Sequence, residues 1–296
     1  MNRLVYTIIY VSAFLLALLP FRILYFISDF FYFILYNIIR YRRKLVRINL
    51  TNAFPEKTQM EILKIEKDFY RKFCDYFVET IKLLHISDPQ IKKHIVFENK
   101  ELVQYYVDKK QSVVMLLGHY GNWEWIPSIT LHFKYDQNTI FGQIYRPLKN
   151  KTSDRFFLRL RNRFNAVNLT KHSVYRDIIN LSKENKNWIL GFMSDQKPSG
   201  NQVPYIMQFL NQETPVLAGT EKIAKHTGAA VLYFDITCLK RGYYEVKLIL
   251  ISDNPAQTSE FEITEKYIHL LEKTILRNPA AYLWTHNRWR IKTKVQ

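Results

Sequence analysis

From Leu4 to Leu19 the chain carries no charge and few polar groups, and after Pro20 and Arg22 the apolar character resumes from Ile23 to Ile39, broken by Asp29 and Asn37. A membrane-spanning helix requires about 20 apolar residues, so the first run predicts one tilted span. The second run reads better as a helix lying in the interface, because a charge such as Asp29 at mid-bilayer costs about 2.5–3.5 kcal/mol. Pro20, Phe21 and Arg22 stand where a cleavage site would need small residues, so the segment reads as a retained anchor and not a removed signal peptide. Arg40, Arg42, Arg43, Lys44 and Arg47 follow at once. Such a cluster predicts that this end stays in the cytoplasm, facing an anionic membrane surface.

Beyond the cluster the pattern alternates. Ile62, Ile65, Phe69, Phe73, Phe77, Ile81 and Leu84 recur at helical spacing within a helix predicted over Glu56 to Leu84. Phe97 lies in a short strand, followed by a short helix near Leu102 to Val107. Ser112 to Leu117 is an uninterrupted apolar run, which fits a strand covered on both faces. Strands are predicted at Thr139–Ile144, Trp188–Met193, Met207–Leu210, Ala229–Thr237 and Tyr244–Ile251, the last two joined by a hairpin at Arg241-Gly242. Helices are predicted at Asp154–Phe164 (basic and amphipathic), Pro215–His226 (stopped at Gly228) and Glu260–Leu276. This alternation predicts an α/β fold: a mostly parallel or mixed central sheet flanked by helices, with an antiparallel pair near its end and an N-terminal membrane helix. The division expected is an anchor with its basic flank over 1–47 and an α/β domain over 48–296.

Lys and Arg number 43 against 26 Asp and Glu, a formal charge of +17 that attracts nucleic acid, anionic lipid or an acidic carrier protein. No zinc-finger, RNP or helix-turn-helix signature accompanies that charge, so no nucleic-acid partner is expected. With only 8 glycines, a Gly-rich phosphate loop is not expected, and Cys74 and Cys238 fit neither a zinc spacing nor a disulfide framework.

The sharpest local feature is Gly118-His119-Tyr120-Gly121-Asn122-Trp123-Glu124, directly after the apolar strand and before a predicted helix. Ligands in open α/β sheets gather at the carboxyl ends of strands, which is where this string places His119. Gly118 and Gly121 permit a sharp turn and a close approach to substrate. Glu124, in the first helical turn, is expected to fold back and fix the tautomer of His119, making its other nitrogen a base. With no Ser or Cys nucleophile nearby, the pair suggests direct attack by a deprotonated hydroxyl on an activated acyl group. The plainer alternative is a hydrogen-bonded His at a strand end and a Glu serving as a helix N-terminal charge. His119 and Glu124 do not have zinc-ligand spacing, and no metal is expected.

His119-x-x-x-x-Glu124 resembles the H-x4-D/E motif of glycerolipid acyltransferases, and the longer string is similar to that of the bacterial lipid A biosynthesis (late lauroyl and myristoyl) acyltransferases. Ile144-Tyr145-Arg146-Pro147 with Asn150-Lys151, then Ser194-Asp195-Gln196, then Thr214-Pro215 with Thr227-Gly228-Ala229, then Asn278-Pro279 with Tyr282, Trp284 and His286, resemble further blocks of that family in order. The resemblance implies acyl transfer from acyl carrier protein, or acyl-CoA, to a hydroxyl of a lipid A-type precursor at the cytoplasmic face of the bacterial inner membrane. It implies no metal or redox cofactor, His119 as general base and Glu124 as its partner.

Arg146 offers a fork for a phosphate or a developing oxyanion. Lys151, Arg155, Arg159, Arg161 and Arg163 form a basic run, read either as a solvated helix face or as a surface for lipid phosphates or carrier protein. Asp195 is expected to cap a turn or hold a catalytic Arg; with Gln196 it joins Arg146, Lys151 and Arg155 as a candidate substrate-binding residue. Lys171-His172-Ser173 and His286-Asn287-Arg288-Trp289-Arg290 depart from the family's usual pattern, which leaves other glycolipids, glycerolipids or aminolipids as alternative acceptors. A basic membrane-tethered binding protein without catalysis is the alternative of another class.

Overall fold

The computed structural model describes residues 3–198 and 205–289. Arg290, the end of the C-terminal block, lies outside them. The strands are β1 (Ile95–Glu98), β2 (Val113–Leu117), β3 (Thr139–Tyr145), β4 (Val167–Thr170), β5 (Asn187–Met193), β6 (Tyr205–Phe209), β7 (Gln212–Val216), β8 (Ala230–Lys240) and β9 (Tyr243–Ser252). The helices are α1 (Arg3–Leu18), α2 (Phe21–Phe33), α3 (Arg43–Ala53), α4 (Gln59–Lys82), α5 (Asp88–His94), α6 (Glu101–Asp108), α7 (Lys151–Arg161), α8 (Val174–Lys183), α9 (Gly219–Thr227) and α10 (Glu262–Arg277).

Seven strands form one mixed sheet in the order β1-β9-β8-β2-β5-β3-β4. β8, β2, β5, β3 and β4 run parallel; β9 is antiparallel to β8 and carries β1 parallel to itself. All five residues of the central strand β2 are buried, as an apolar run covered on both faces requires. β6 and β7 form a separate antiparallel hairpin.

Local chemistry explains most boundaries. Thr58 caps α4 by accepting from the Glu61 amide, while the Glu61 carboxylate accepts from the Thr58 amide at 2.8 Å, so two orphan donors are satisfied reciprocally. α9 stops at Gly228, whose φ of +66° is the left-handed cap that glycine adopts without strain. Two boundaries differ from expectation. Pro215 lies in β7, not at the head of α9; a missing N–H is tolerated at a helix start and in an edge strand alike, so the proline did not discriminate. The helix after the His119 turn is a 3-10 segment, Trp123–His132, because Pro127 removes a donor and stops an α-helix from propagating.

The N-terminal segment is built into the domain. α1 and α2 each lay one face on α4, burying Ala13, Ala17, Leu24 and Ser28, and leave Ile8, Leu15, Phe26, Phe30 and Phe33 exposed. The Ser28 hydroxyl donates to Asp75 at 2.6 Å, and Arg241 bridges Asp29 and Asp75, 2.6 Å from each. Asp29 is thus paired at the β8–β9 turn and does not face hydrocarbon alone. The Lys82 ammonium donates to the carbonyls of Ala17 and Leu19, both at 2.8 Å, closing the end of α1. At 16 residues, α1 is only about 24 Å long, short of a hydrocarbon core of roughly 30 Å. Among the described residues, the helix long and apolar enough to cross a membrane is Phe21–Ile39, whereas the sequence pattern favours the first run. Part of the basic flank turns inward: Arg42 donates to the Thr285 carbonyl, and Arg43 and Arg47 reach the fully buried Glu66. Residue 47, the expected end of the flank, lies within α3.

The turn leaving β2 is held from behind. A Cβ on Gly118 would stand 2.5 Å from Leu271 Cδ1 on α10, a leucine with no exposed surface. We expect Gly118→Ala to lower stability by about 1–3 kcal/mol through overpacking, read as an earlier denaturant midpoint at unchanged m-value.

Candidate active site

β2 and β5 are adjacent and parallel, with Leu117 opposite Met193. His119 and Asp195 therefore leave the sheet side by side, each two residues past a register partner. The His119 backbone N–H donates to Asp195 Oδ2 at 3.0 Å, and His119 Nδ1 lies 2.7 Å from Asp195 Oδ1. An ionised carboxylate only accepts, so the proton of this contact sits on Nδ1 and the neutral ring leaves its lone pair on Nε2. Gln196 meets that lone pair, its amide nitrogen 3.1 Å from Nε2. Burial alone would push the Asp195 carboxyl up; the His119 ring and its two hydrogen bonds hold it below the usual carboxylate range.

The turn itself is braced by the C-terminal segment. Leu283 N–H donates to the His119 carbonyl and Gly121 N–H to the Ala281 carbonyl, both at 3.0 Å. Gly121 has φ +59°, a conformation in which any side chain is strained. Asn122 donates to Glu79 at 2.9 Å, and Tyr244 and Tyr25 donate to the same buried carboxylate; burial pushes Glu79 up to about 7. His119 is thus carried on a turn fixed by α4, β9 and the chain's end together.

Glu124 does not hold His119. Its carboxylate is 3% exposed and accepts two hydrogen bonds from Arg161 of α7, from Nε at 2.9 Å and Nη2 at 2.5 Å. The Trp123 indole is edge-on to His119 with centroids 5.1 Å apart and stacks at 4.3 Å on Tyr76, whose hydroxyl donates to Glu124 at 3.4 Å. The expectation that Glu124 sets the His119 tautomer is corrected: that hydrogen bond comes from Asp195, 76 residues downstream. By accepting the His119 backbone N–H, Asp195 caps the turn that leaves β2; among the described residues no arginine hydrogen-bonds to it. The five-residue spacing put both residues in one turn, but the sheet register, invisible to spacing, decided the partner.

A cleft of about 490 Å³ contains His119, Glu124, Arg146, Arg161, Gln196 and His286 in its lining. Burial pushes the His286 imidazole down to about 4, so it is neutral at pH 7. Beside the cleft an apolar slot runs under the 3-10 segment, bounded by Met115, Leu117, Ile126, Phe141, Gly191 and Met193, and shares Trp123 and Met193 with it. Arg146, just past the end of β3, is exposed and lines the cleft. Lys151 begins α7 at the surface, outside the cleft lining. Arg155 also lies away from it, over the Tyr6 ring of α1 at 4.5 Å, with Arg159 over Tyr10 at 4.2 Å. The basic run is therefore divided: two arginines stack on the N-terminal helix, Arg161 enters the cleft, and Arg163 donates to the carbonyls of Leu83 and Ile86. Arg161 was missed as a cleft residue because charge alone does not separate it from Arg159; its position four residues after half-buried Phe157 was the available signal.

The Glu124–Arg161 pair gives a test independent of activity. Arg161→Met leaves a buried carboxylate without its partner and should cost about 3–5 kcal/mol in denaturant unfolding, whereas Glu124→Leu with Arg161→Met should recover most of that loss.

Residues 2–291 match the sequence family described as bacterial lipid A biosynthesis acyltransferase. The chain is 21% identical over 256 residues to the lipid A biosynthesis palmitoleoyltransferase of Escherichia coli (strain K12), covering 86% of this chain and 80% of that protein. It matches the lipid A biosynthesis acyltransferase of Shigella flexneri to the same extent, 21% over 256 residues, with 86% and 80% covered. With a cleft at the carboxyl ends of its parallel strands and a family match from residue 2 to residue 291, this chain belongs to the bacterial lipid A biosynthesis acyltransferases.

Proposed function

We propose that this acyltransferase uses His119 Nε2 as the general base that takes the proton from a hydroxyl of a lipid A-type precursor, and that the freed oxygen attacks the thioester of an acyl donor. The observation that carries the reading is the contact between His119 Nδ1 and the buried Asp195 carboxylate at 2.7 Å, which leaves the other ring nitrogen toward the cleft. Asp195 stabilises the imidazolium formed when Nε2 accepts the proton, and the ring then returns that proton to the departing thiolate. Arg146 supplies positive charge where the tetrahedral oxyanion or an acceptor phosphate would lie. Glu124 acts in this account by fixing Arg161 at the cleft wall. The apolar slot beside the cleft, at about 30 Å³, is too small for an acyl chain, so in this reading the chain lies in the cleft of about 490 Å³ itself. Neither a metal nor a redox cofactor enters such a reaction.

The donor is acyl carrier protein or coenzyme A, both anionic. Arg146 in the cleft lining, with Lys151 at the start of α7, supports docking of an acidic carrier. The exposed apolar faces of α1 and α2, pinned to the same α4 that supports the His119 turn, support an enzyme seated on the inner membrane with its cleft at the cytoplasmic interface. Lys151 remains a candidate substrate contact in this reading.

The test is a transfer assay with an acyl thioester and a lipid A precursor. His119→Ala should abolish transfer in a protein that stays folded in membranes. Asp195→Asn should lower kcat about 100- to 10,000-fold with little change in KM. Normal turnover in either variant would remove the pair from the chemistry.

A further inference from the structure

Gln196 occupies the position that a reacting hydroxyl needs. Asp195 and Gln196 are consecutive, yet they grip opposite sides of one imidazole: the carboxylate 2.7 Å from Nδ1, the carboxamide nitrogen 3.1 Å from Nε2. A general base must stand about 2.6–3.2 Å from the atom whose proton it takes. The amide nitrogen lies within that shell, and the single lone pair of Nε2 accepts one donor at a time. Gln196 and an acceptor hydroxyl therefore compete for the same atom.

We propose that Gln196 is a resident stand-in for the acceptor hydroxyl, which keeps the base occupied until the acceptor arrives and so suppresses wasteful hydrolysis of the acyl donor. This rests on His119 being the base. In the unwanted reaction, water gives its proton to Nε2 while its oxygen bonds to the thioester carbonyl carbon. The C–S bond then breaks, the imidazolium returns the proton to the sulfur, and a fatty acid and a free thiol result. In the wanted reaction a sugar hydroxyl replaces the water, and an ester and the same thiol result. Both need the lone pair that Gln196 holds. A lipid acceptor brings binding energy from its remaining groups to displace the carboxamide; a water molecule brings none. The half-buried position of Gln196 on the cleft wall leaves its side chain room to withdraw.

Gln196→Met removes the donor at nearly constant volume, and Gln196→Ala removes the side chain. With full-length protein in detergent micelles and an acyl-CoA donor, thiol release without acceptor should rise on the order of three- to tenfold in both variants, the equivalent of one lost hydrogen bond. Transfer to a lipid A precursor should change less, so the ratio of hydrolysis to transfer rises. A side chain that merely orients the ring would lower both rates together, and that result overturns the proposal. A second arm does not depend on the transfer reaction. Diethyl pyrocarbonate acylates neutral imidazole, and peptide mass spectrometry reads each site. His119 should react several-fold faster in both variants, while exposed His269 reacts at an unchanged rate. An unchanged His119 rate also overturns the proposal. If the wild type transfers nothing to any lipid acceptor while His119 is still unmasked by Gln196→Met, the enzymatic reading fails and the occupied ring nitrogen stands.

Discussion

The parallel register of β2 against β5 is the constraint on which the site depends. Leu117 faces Met193, and both chains leave the sheet at the same height. Two residues further on, an imidazole and a carboxylate are brought within 2.7 Å with no loop having to find the other. A hydrogen-bonded pair built on strand ends inherits the rigidity of the sheet, and β2 is buried along its whole length. Displacing the register by one residue would turn every β5 side chain to the opposite face and leave Asp195 without His119.

Around that pair the protein adds charge in layers. Glu124 and Arg161 neutralise each other at one wall of the cleft, and Trp123 packs edge-on to the imidazole. On the far side of the turn, Glu79 collects three hydrogen bonds in a fully buried setting and holds Asn122. Glu79 sits on α4, the same helix that receives α1 and α2, and Arg241 joins Asp29 of α2 to Asp75 of α4. The apolar N-terminal helices and the reactive turn are thereby parts of one packed unit. Arg43 and Arg47 meet buried Glu66 and Arg161 meets buried Glu124, but those carboxylates are already subtracted in the net +17, so the field available to an anionic partner is undiminished by these pairs.

Much of this was legible in the chain. The apolar run Ser112–Leu117 announced a central strand, and the glycine-flanked string after it announced a reactive turn, because both signals are local. The mixed sheet and the β8–β9 pair followed from alternation and the Arg241-Gly242 turn. The partner of His119 was not legible, since His119 and Asp195 are related only through inter-strand register. Glu124, five residues away, was the nearer carboxylate, and proximity in sequence misassigned it. Arg155 was misplaced for a similar reason: its stacking on Tyr6 joins two helices separated by most of the domain. β4 and β7 went unread because each is only four or five residues long; α8 has apolar positions at helical spacing and was legible but passed over.

The most direct measurement of the central claim is the nitrogen-15 NMR signature of the His119 ring at neutral pH, assigned by its loss in His119→Ala and repeated in Asp195→Asn and Glu124→Gln. The account predicts a protonated Nδ1 and an unprotonated Nε2 in the wild type, a changed tautomer balance in Asp195→Asn, and an unchanged one in Glu124→Gln. A proton resident on Nε2, or a ring that responds to Glu124→Gln and ignores Asp195→Asn, would contradict it.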